Sequence, residues 1–345
     1  MTARTDLDTP THPEAAPEMP SAPRLPGVRF RPFRDDSDYG RLSGLLKATN
    51  RHDEIPWLPT VSNLRSEMGH RTAFHPRRDL LLAELGDQMI GMTGVERVVR
   101  DGAPVYEMWG AVLPEFRRLG LGTALLAWTL DHARQRAAVE DPGVVVQVAG
   151  DAEEQETGHR ELLKQAGFEP VRHFFLMRRP TLDDIPDAPL PEGVEIRPVT
   201  ANQRRAVLEA EFEAFEDHWG SRERTEDSFA LTLARPELDS DLWVVAWDGD
   251  QIAGAVENWI WAEENEELGV KRGWLERISV RRPWRRRGLS RAITAESLRR
   301  LRSAGMEEGM LGVDSENPNG ALGLYEGLGF QVHSAAAAYR RPLGP

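Results

Sequence analysis

The feature that most constrains this chain is that it repeats itself. Gly27-Val-Arg-Phe-Arg-Pro-Phe33 returns as Gly193-Val-Glu-Ile-Arg-Pro-Val199, 166 residues on. Val112-Leu-Pro-Glu-Phe-Arg-Arg-Leu-Gly-Leu-Gly122 returns as Val280-Arg-Arg-Pro-Trp-Arg-Arg-Arg-Gly-Leu-Ser290, with the glycines 168 apart. Ala166-Gly-Phe168 returns as Leu328-Gly-Phe330 at an offset of 162. Three motifs in one order at near-equal spacing describe a duplicated domain. The 345 residues then divide into 27–180 and 194–345, each of a size that buries its own core.

Two stretches fall outside the repeat. Residues 1–26 are rich in Pro, Ala, Thr and acids and read as a disordered tail. Thr181 to Gly193, with three prolines, four acids and no base, reads as a linker. Together they carry −6 of the net charge of −13, so the two domains share only −7. That balance argues against nucleic acid or an anionic membrane as the main partner. The absence of cysteine excludes disulfides, thiolate metal sites and cysteine nucleophiles. No His pair or acid–His cluster has metal-ligand spacing, so no metal is expected. With no apolar run of membrane length and no signal-like start, a cytoplasmic monomer or homodimer is expected.

Each copy reads as an extended start, one or two helices, then a hairpin. In the second copy the helices are Asn202–Glu216 and Thr225–Ala234, and the hairpin is Leu242–Trp247 with Ile252–Ile260 around Asp248-Gly249. The first copy has Leu80–Leu85 and Met89–Val99 around Gly86-Asp87. A strand follows (Tyr106–Val112; Leu275–Val280), then a basic glycine turn and a long helix (Thr123–Ala138; Arg291–Ser303). A buried strand (Val144–Val148; Met310–Asp314), a short helix and a final strand close each copy. The pattern predicts an α/β fold with a mixed, mostly antiparallel sheet flanked by helices in each domain.

The glycine turns carry the chemistry. Arg117-Arg-Leu-Gly-Leu-Gly122 and Arg285-Arg-Arg-Gly-Leu-Ser290 leave a strand and open a helix, so backbone N–H groups, the helix dipole and arginines converge. A pyrophosphate suits such a turn; a basic surface corner capped by glycine is the plain alternative. Gly120-Leu-Gly-Thr-Ala-Leu125 lacks the third small residue of the dinucleotide fingerprint, and no P-loop is present.

The spacing Arg/Gln-x-x-Gly-x-Gly/Ala between strand and helix resembles the acetyl-CoA motif of the GNAT (GCN5-related) N-acetyltransferase superfamily. In the second copy, Leu311-Gly-Val-Asp-Ser-Glu-Asn-Pro-Asn-Gly-Ala-Leu-Gly-Leu-Tyr-Glu-Gly-Leu-Gly-Phe330 resembles that family's next strand and helix. The resemblance spans both copies, so it implies two tandem GNAT-like domains. It implies transfer of acetyl from acetyl-CoA to a primary amine of a small molecule by direct attack in a ternary complex. It further implies that Ile278, Ser279 and Val280 bind pantetheine through their backbone. Arg285, Arg286, Arg287, Gly288, Leu289 and Ser290 would hold the pyrophosphate, with Asn317 beside the cofactor and Tyr325 as the acid for the departing thiolate. Asn317 in a simple Asx turn and Tyr325 as a core tyrosine are the plainer readings.

Glu276 shares a strand face with Ile278 and Val280 and is the candidate base; pairing with an arginine is its alternative. Glu107 is its counterpart, seven residues before Pro114 as Glu276 is before Pro283. His218, Trp219 and Trp259 are candidate walls of the acceptor pocket, or simply core aromatics. The acidic run Glu263–Glu267 reads as a loop suited to a cationic acceptor, or as a solvated face. In the first copy, Val112, Arg117, Arg118, Gly120 and Gly122 keep the turn, yet Leu163 stands opposite Tyr325 and Gln155 opposite Asn317. That copy therefore reads as non-catalytic, either binding acetyl-CoA or serving as a structural half. A protein or peptide N-acetyltransferase and a non-catalytic acyl-CoA-binding regulator are the alternatives for the whole chain.

Overall fold

The computed structural model describes residues 18–344 apart from 70, 72, 224, 236, 237, 318 and 319, and without the side chains of 227 and 231. The first copy runs β1 (Val28–Pro32), α1 (Ser37–His52), α2 (Val61–Gly69), α3 (Pro76–Asp79), β2 (Leu80–Leu85), β3 (Gln88–Arg100) and β4 (Ala103–Val112). It continues with α4 (Leu121–Glu140), β5 (Gln147–Glu153), α5 (Thr157–Gln165) and β6 (Glu169–Arg179). The second runs β7 (Val194–Arg197), α6 (Arg204–Phe215), α7 (Glu226–Leu233), β8 (Val244–Asp248), β9 (Gln251–Val256), β10 (Asn258–Trp259) and α8 (Ala262–Leu268). After these come β11 (Arg272–Leu275), β12 (Ser279–Val280), α9 (Leu289–Ser303), β13 (Glu308–Asp314), α10 (Ala321–Glu326) and β14 (Gln331–Pro342).

The hairpins form where alternation and glycine predict them. Gly86 and Gly249 take positive φ, of 60° and 58°, at the tight turns. One strand is displaced: β5 starts at Gln147, and Val144 and Val145 are exposed. Parallel pairing with β4 begins only at Val105 opposite Gln147, so the two valines lie outside the ladder.

The larger departure concerns how the copies close. The sequence suggests that each copy ends on its own last strand. Instead, β14 inserts between β5 and β6, and β6 pairs with β13. The result is a ten-stranded sheet, β1-β2-β3-β4-β5-β14-β6-β13-β11-β10, with β12-β9-β8-β7 as a separate four-stranded sheet. Each copy lends its final strand to the other. Tyr339 and Ala337 of β14 therefore belong to the first copy's core beside Tyr106 and Val148, while Met177 of β6 belongs to the second copy's.

Further contacts join the halves. Leu182 in the 181–193 stretch is buried against α9 and β13 residues, and Ile185, Ala188 and Leu190 pack on the same core. The stretch is thus packed, not a free tether. Of the expected disordered tail, residues 1–17 lie outside the described residues, while in 18–26 Met19 and Leu25 pack on the first core. The run Glu263–Glu267 is helical rather than a loop, with Glu263, Glu266 and Glu267 exposed. It lies in α8, with Glu264 buried and Glu267 taking Lys47 and Arg51 of α1. The β3–β4 turn grips the segment after α6: Asp101 N–H donates to Ser221 O at 3.0 Å and Glu223 N–H to Val99 O at 3.0 Å.

Because β14 completes the first core, Tyr339→Ala, made in the second half of the chain, should destabilise the first half. The expected loss is about 3–5 kcal/mol. Hydrogen exchange should accelerate in β5 and α4 more than in α6 and β8; equal acceleration would contradict the exchange.

Candidate active site

The two glycine turns are built alike. A short turn at Pro114–Phe116 or Arg282–Trp284 precedes each. Arg118 (φ 64°) and Arg286 (φ 60°) are left-handed, as are Gly120 (φ 84°) and Gly288 (φ 83°) at the helix starts. Neither helix start has a side-chain cap, so its first N–H groups remain for a ligand. Left-handed residues in such a turn form a concavity of N–H groups suited to an anion.

The first arginine of each motif does a different task from the one the motif suggests. Arg285 Nε donates to Val280 O at 3.0 Å, Nη2 to Ala214 O at 2.9 Å and Nη1 to Asp217 at 2.9 Å. Arg117 Nε likewise donates to Val112 O at 3.0 Å, with both Nη atoms on Asp53. These guanidinium groups tie strand end to helix end, and in the second copy Arg282 and Arg285 hold Asp217 well below the usual carboxylate range. Arg286 and Arg287 are the exposed cations at the second turn.

The copies differ in access. A Cβ built on Gly288 would meet nothing within 4 Å. One on Gly120 would lie 3.5 Å from Arg24 N and Pro23 Cα, because Arg24 N–H donates to Leu119 O at 2.8 Å. The chain's own residues 23–24 lie across the first turn.

They differ in the strand as well. In the first copy β3 and β4 pair without interruption from Gly91–Val112 to Arg100–Ala103. In the second, Asn258 faces Leu275 and Ala255 faces Ser279. Val256 and Glu257 thus stand opposite Glu276, Arg277 and Ile278, one residue too many. This is a β-bulge, which breaks the ladder and re-aims side chains. Parallel pairing of β11 with β13 ends at Trp274–Met310, so residues 276–280 run beyond that ladder. Gly254 permits the close approach on the other edge, since a Cβ there would lie 2.6 Å from Ser279 O. Glu107 does not match Glu276. It is the last residue of its own parallel ladder and is ion-paired with Arg100, whereas Glu276 lies two residues beyond the corresponding end.

Glu276 is solvent-exposed, and partial desolvation by the protein around it raises its carboxyl above the usual range against the pull of Arg277 and Arg235. His218, Trp219 and Asn317 come together around one cavity of about 390 Å³. Asp314 and Asp217 line it too, with Asp101 and Arg172 from the first copy, which sequence reasoning missed because the β3–β4 turn brings the one and the exchanged strand β6 the other. Trp219 lies under the Arg340 and Arg172 guanidinium groups, at 4.4 and 5.8 Å. Burial keeps the His218 imidazole neutral to lower pH, with Arg285 adding to the effect. Trp259 is elsewhere, buried and stacked on Trp261 at 5.7 Å under Arg235. Tyr325 is buried against Phe330, and burial raises its phenol above the ordinary value. Among the described residues no group of three His, Asp or Glu is arranged to hold a metal ion, and no helix is long and apolar enough to cross a membrane.

The profile of the Acetyltransferase (GNAT) family matches residues 46–147 and 204–330. The chain belongs to the GNAT acetyltransferase family. It is 28% identical to mycothiol acetyltransferase of Geodermatophilus obscurus over 92% of this chain and 98% of that one. The mycothiol acetyltransferase of Salinispora arenicola is 32% identical over 67% and 71%. A GCN5-related N-acetyltransferase from Sphaerobacter thermophilus superposes with a TM-score of 0.72 at 25% identity, over 93% of this chain and 97% of that one. A tandem GNAT protein from the clavulanic acid pathway shares the fold, with a TM-score of 0.67 at 16% identity and 92% and 99% coverage. The chain is a tandem GNAT enzyme similar to mycothiol synthase.

Arg285→Lys keeps the charge but not the three-way fork that binds Val280, Ala214 and Asp217. It should lower Tm about as much as Arg285→Ala does. A lysine variant that melts like wild type would show that charge alone suffices.

Proposed function

We propose that the second copy transfers the acetyl group of acetyl-CoA to a primary amine of a small molecule. The observation that carries this reading is the asymmetry of two like turns: only the turn at Gly288 is open, and only its strand is bulged. The N–H groups of Gly288, Leu289 and Ser290, with Arg286 and Arg287, would hold the pyrophosphate. The free edge of Ile278, Ser279 and Val280 would pair with the pantetheine, with Asn317 beside it. Arg285 serves by fixing the turn.

Chemistry then needs three proton movements. The acceptor ammonium gives a proton to Glu276, whose raised basicity suits the task. Its nitrogen attacks the acetyl carbonyl carbon, the carbon–sulfur bond breaks, the Tyr325 phenol supplies a proton to the departing thiolate, and the second proton that the nitrogen sheds on becoming an amide restores the phenol. The cavity of His218 and Trp219 is the acceptor's approach, and its volume of about 390 Å³ suits a small molecule. Trp259 contributes at one remove, by seating Arg235 near Glu276. In the first copy Val112, Arg117, Arg118, Gly120 and Gly122 keep the turn as a structural element under residues 23–24. The relatives named mycothiol acetyltransferase make an acceptor of that kind the first to assay, beside aminoglycosides, polyamines and amino acids.

Release of CoA in the presence of an acceptor panel tests the activity. Tyr325→Phe should lower kcat by about 10²-fold with little change in KM for acetyl-CoA. Unchanged turnover would remove Tyr325 from the mechanism. Titration calorimetry of the full chain should count one acetyl-CoA per chain; two equal sites would show that residues 23–24 do not close the first turn.

A further inference from the structure

Behind Glu276 lies a pair of carboxyl groups that the reaction as described does not use. Glu257, at the break between β9 and β10, is 1% exposed, and both its oxygens lack a hydrogen-bond donor. Glu211 on α6 is also 1% exposed. Its Oε1 accepts from Arg277 Nη1, while its Oε2 lacks a donor. The two carboxyls are within hydrogen-bonding reach of each other. Two buried carboxylates facing one another beside a single guanidinium would each leave an unpaired charge out of water, which is costly. One shared proton removes the second charge and gives Glu211 Oε2 its missing donor.

We infer that Glu257 is a neutral carboxylic acid donating to Glu211 Oε2, and that this pair is a positioning device for Glu276. Burial raises Glu257 far above the usual carboxyl range, and the neighbouring Glu211 adds to it against the pull of Arg277. Sharing one proton, the pair carries one negative charge, which the Arg277 guanidinium balances. Glu276 is faced by Arg277 and Arg235, and the first of these is spent on Glu211. The carboxylate of Glu276 therefore keeps its basicity. The contact is also mechanical: Glu276 N–H donates to Glu257 O at 2.9 Å, the bond that anchors the bulge. The inference rests on the reading of Glu276 as the base.

The test uses the full chain and three variants, Glu257→Gln, Glu211→Gln and the double variant. A shared proton makes the pair act as one charge, so either glutamine alone stands in for the neutral partner. Each single variant should leave the acid limb of kcat/KM at the wild-type pH. The double variant, which leaves Arg277 unbalanced, should move it down by about one pH unit or more. Infrared difference spectra at neutral pH should show a protonated-carboxyl band that both single variants lose. A limb that moves in Glu257→Gln alone, or a band that survives in both singles, overturns the shared proton. A limb unmoved in the double variant overturns the positioning role. Glu276→Gln, measured alongside, separates these results from failure of the base assignment: if it keeps the acid limb, Glu276 is not the base, while the infrared band still decides the shared proton.

Discussion

A strand held between two others satisfies both its rows of backbone N–H and C=O groups, and β14 does this between β5 and β6. Removing it would leave an open edge on β5 and strip Tyr339 from the first core. The reverse holds for β6, whose Met177 completes the second core. Reciprocal lending of a strand makes one folding unit of two copies. It also places Arg172 of β6 against Asp314 of β13, with 2.7 Å between charges, so the second copy's cavity is partly walled by the first.

Duplication gave both halves the same turn, and later differences are small in sequence but large in consequence. One hydrogen bond, Arg24 N–H to Leu119 O, lays the chain over the first turn. One extra residue in the strand opposite Val256 and Glu257 bulges the second copy. The bulge breaks the ladder at Glu276–Ile278 and brings the Glu276 N–H to Glu257 O. Arginine is used in two ways in the same short motif. Arg285 is consumed by protein acceptors, while Arg286 and Arg287 stay at the surface.

Much of this was legible in the chain. The repeat, the order of strands and helices and the positions of both turns follow from local pattern, because hairpin turns need glycine at positive φ and buried strands need apolar runs. Tyr325 and Asn317 were singled out by the resemblance to the GNAT motifs, and the turn residues by their place between strand and helix. Others left little trace. Glu257 is a lone acid in the apolar run Ile252–Ile260, a signal that marks a buried charge but does not name its partner. Arg172 and Asp101 sit in the other half of the chain, and the ion pairs of Glu267 left no signal because its partners Lys47 and Arg51 lie more than 200 residues away in sequence.

By itself, then, the sequence determined the duplication, the α/β class, the family and the location of the phosphate-type turn, all of which depend on residues close together in the chain. Only the tertiary structure decided which strand closes which copy, that the first turn is covered, and which groups surround Glu276. The physical reason is that β6 and β14 offer similar edges to similar partners, so local propensity does not choose between self-closure and exchange. That choice belongs to long-range pairing, as does the balance of charge around a buried carboxyl.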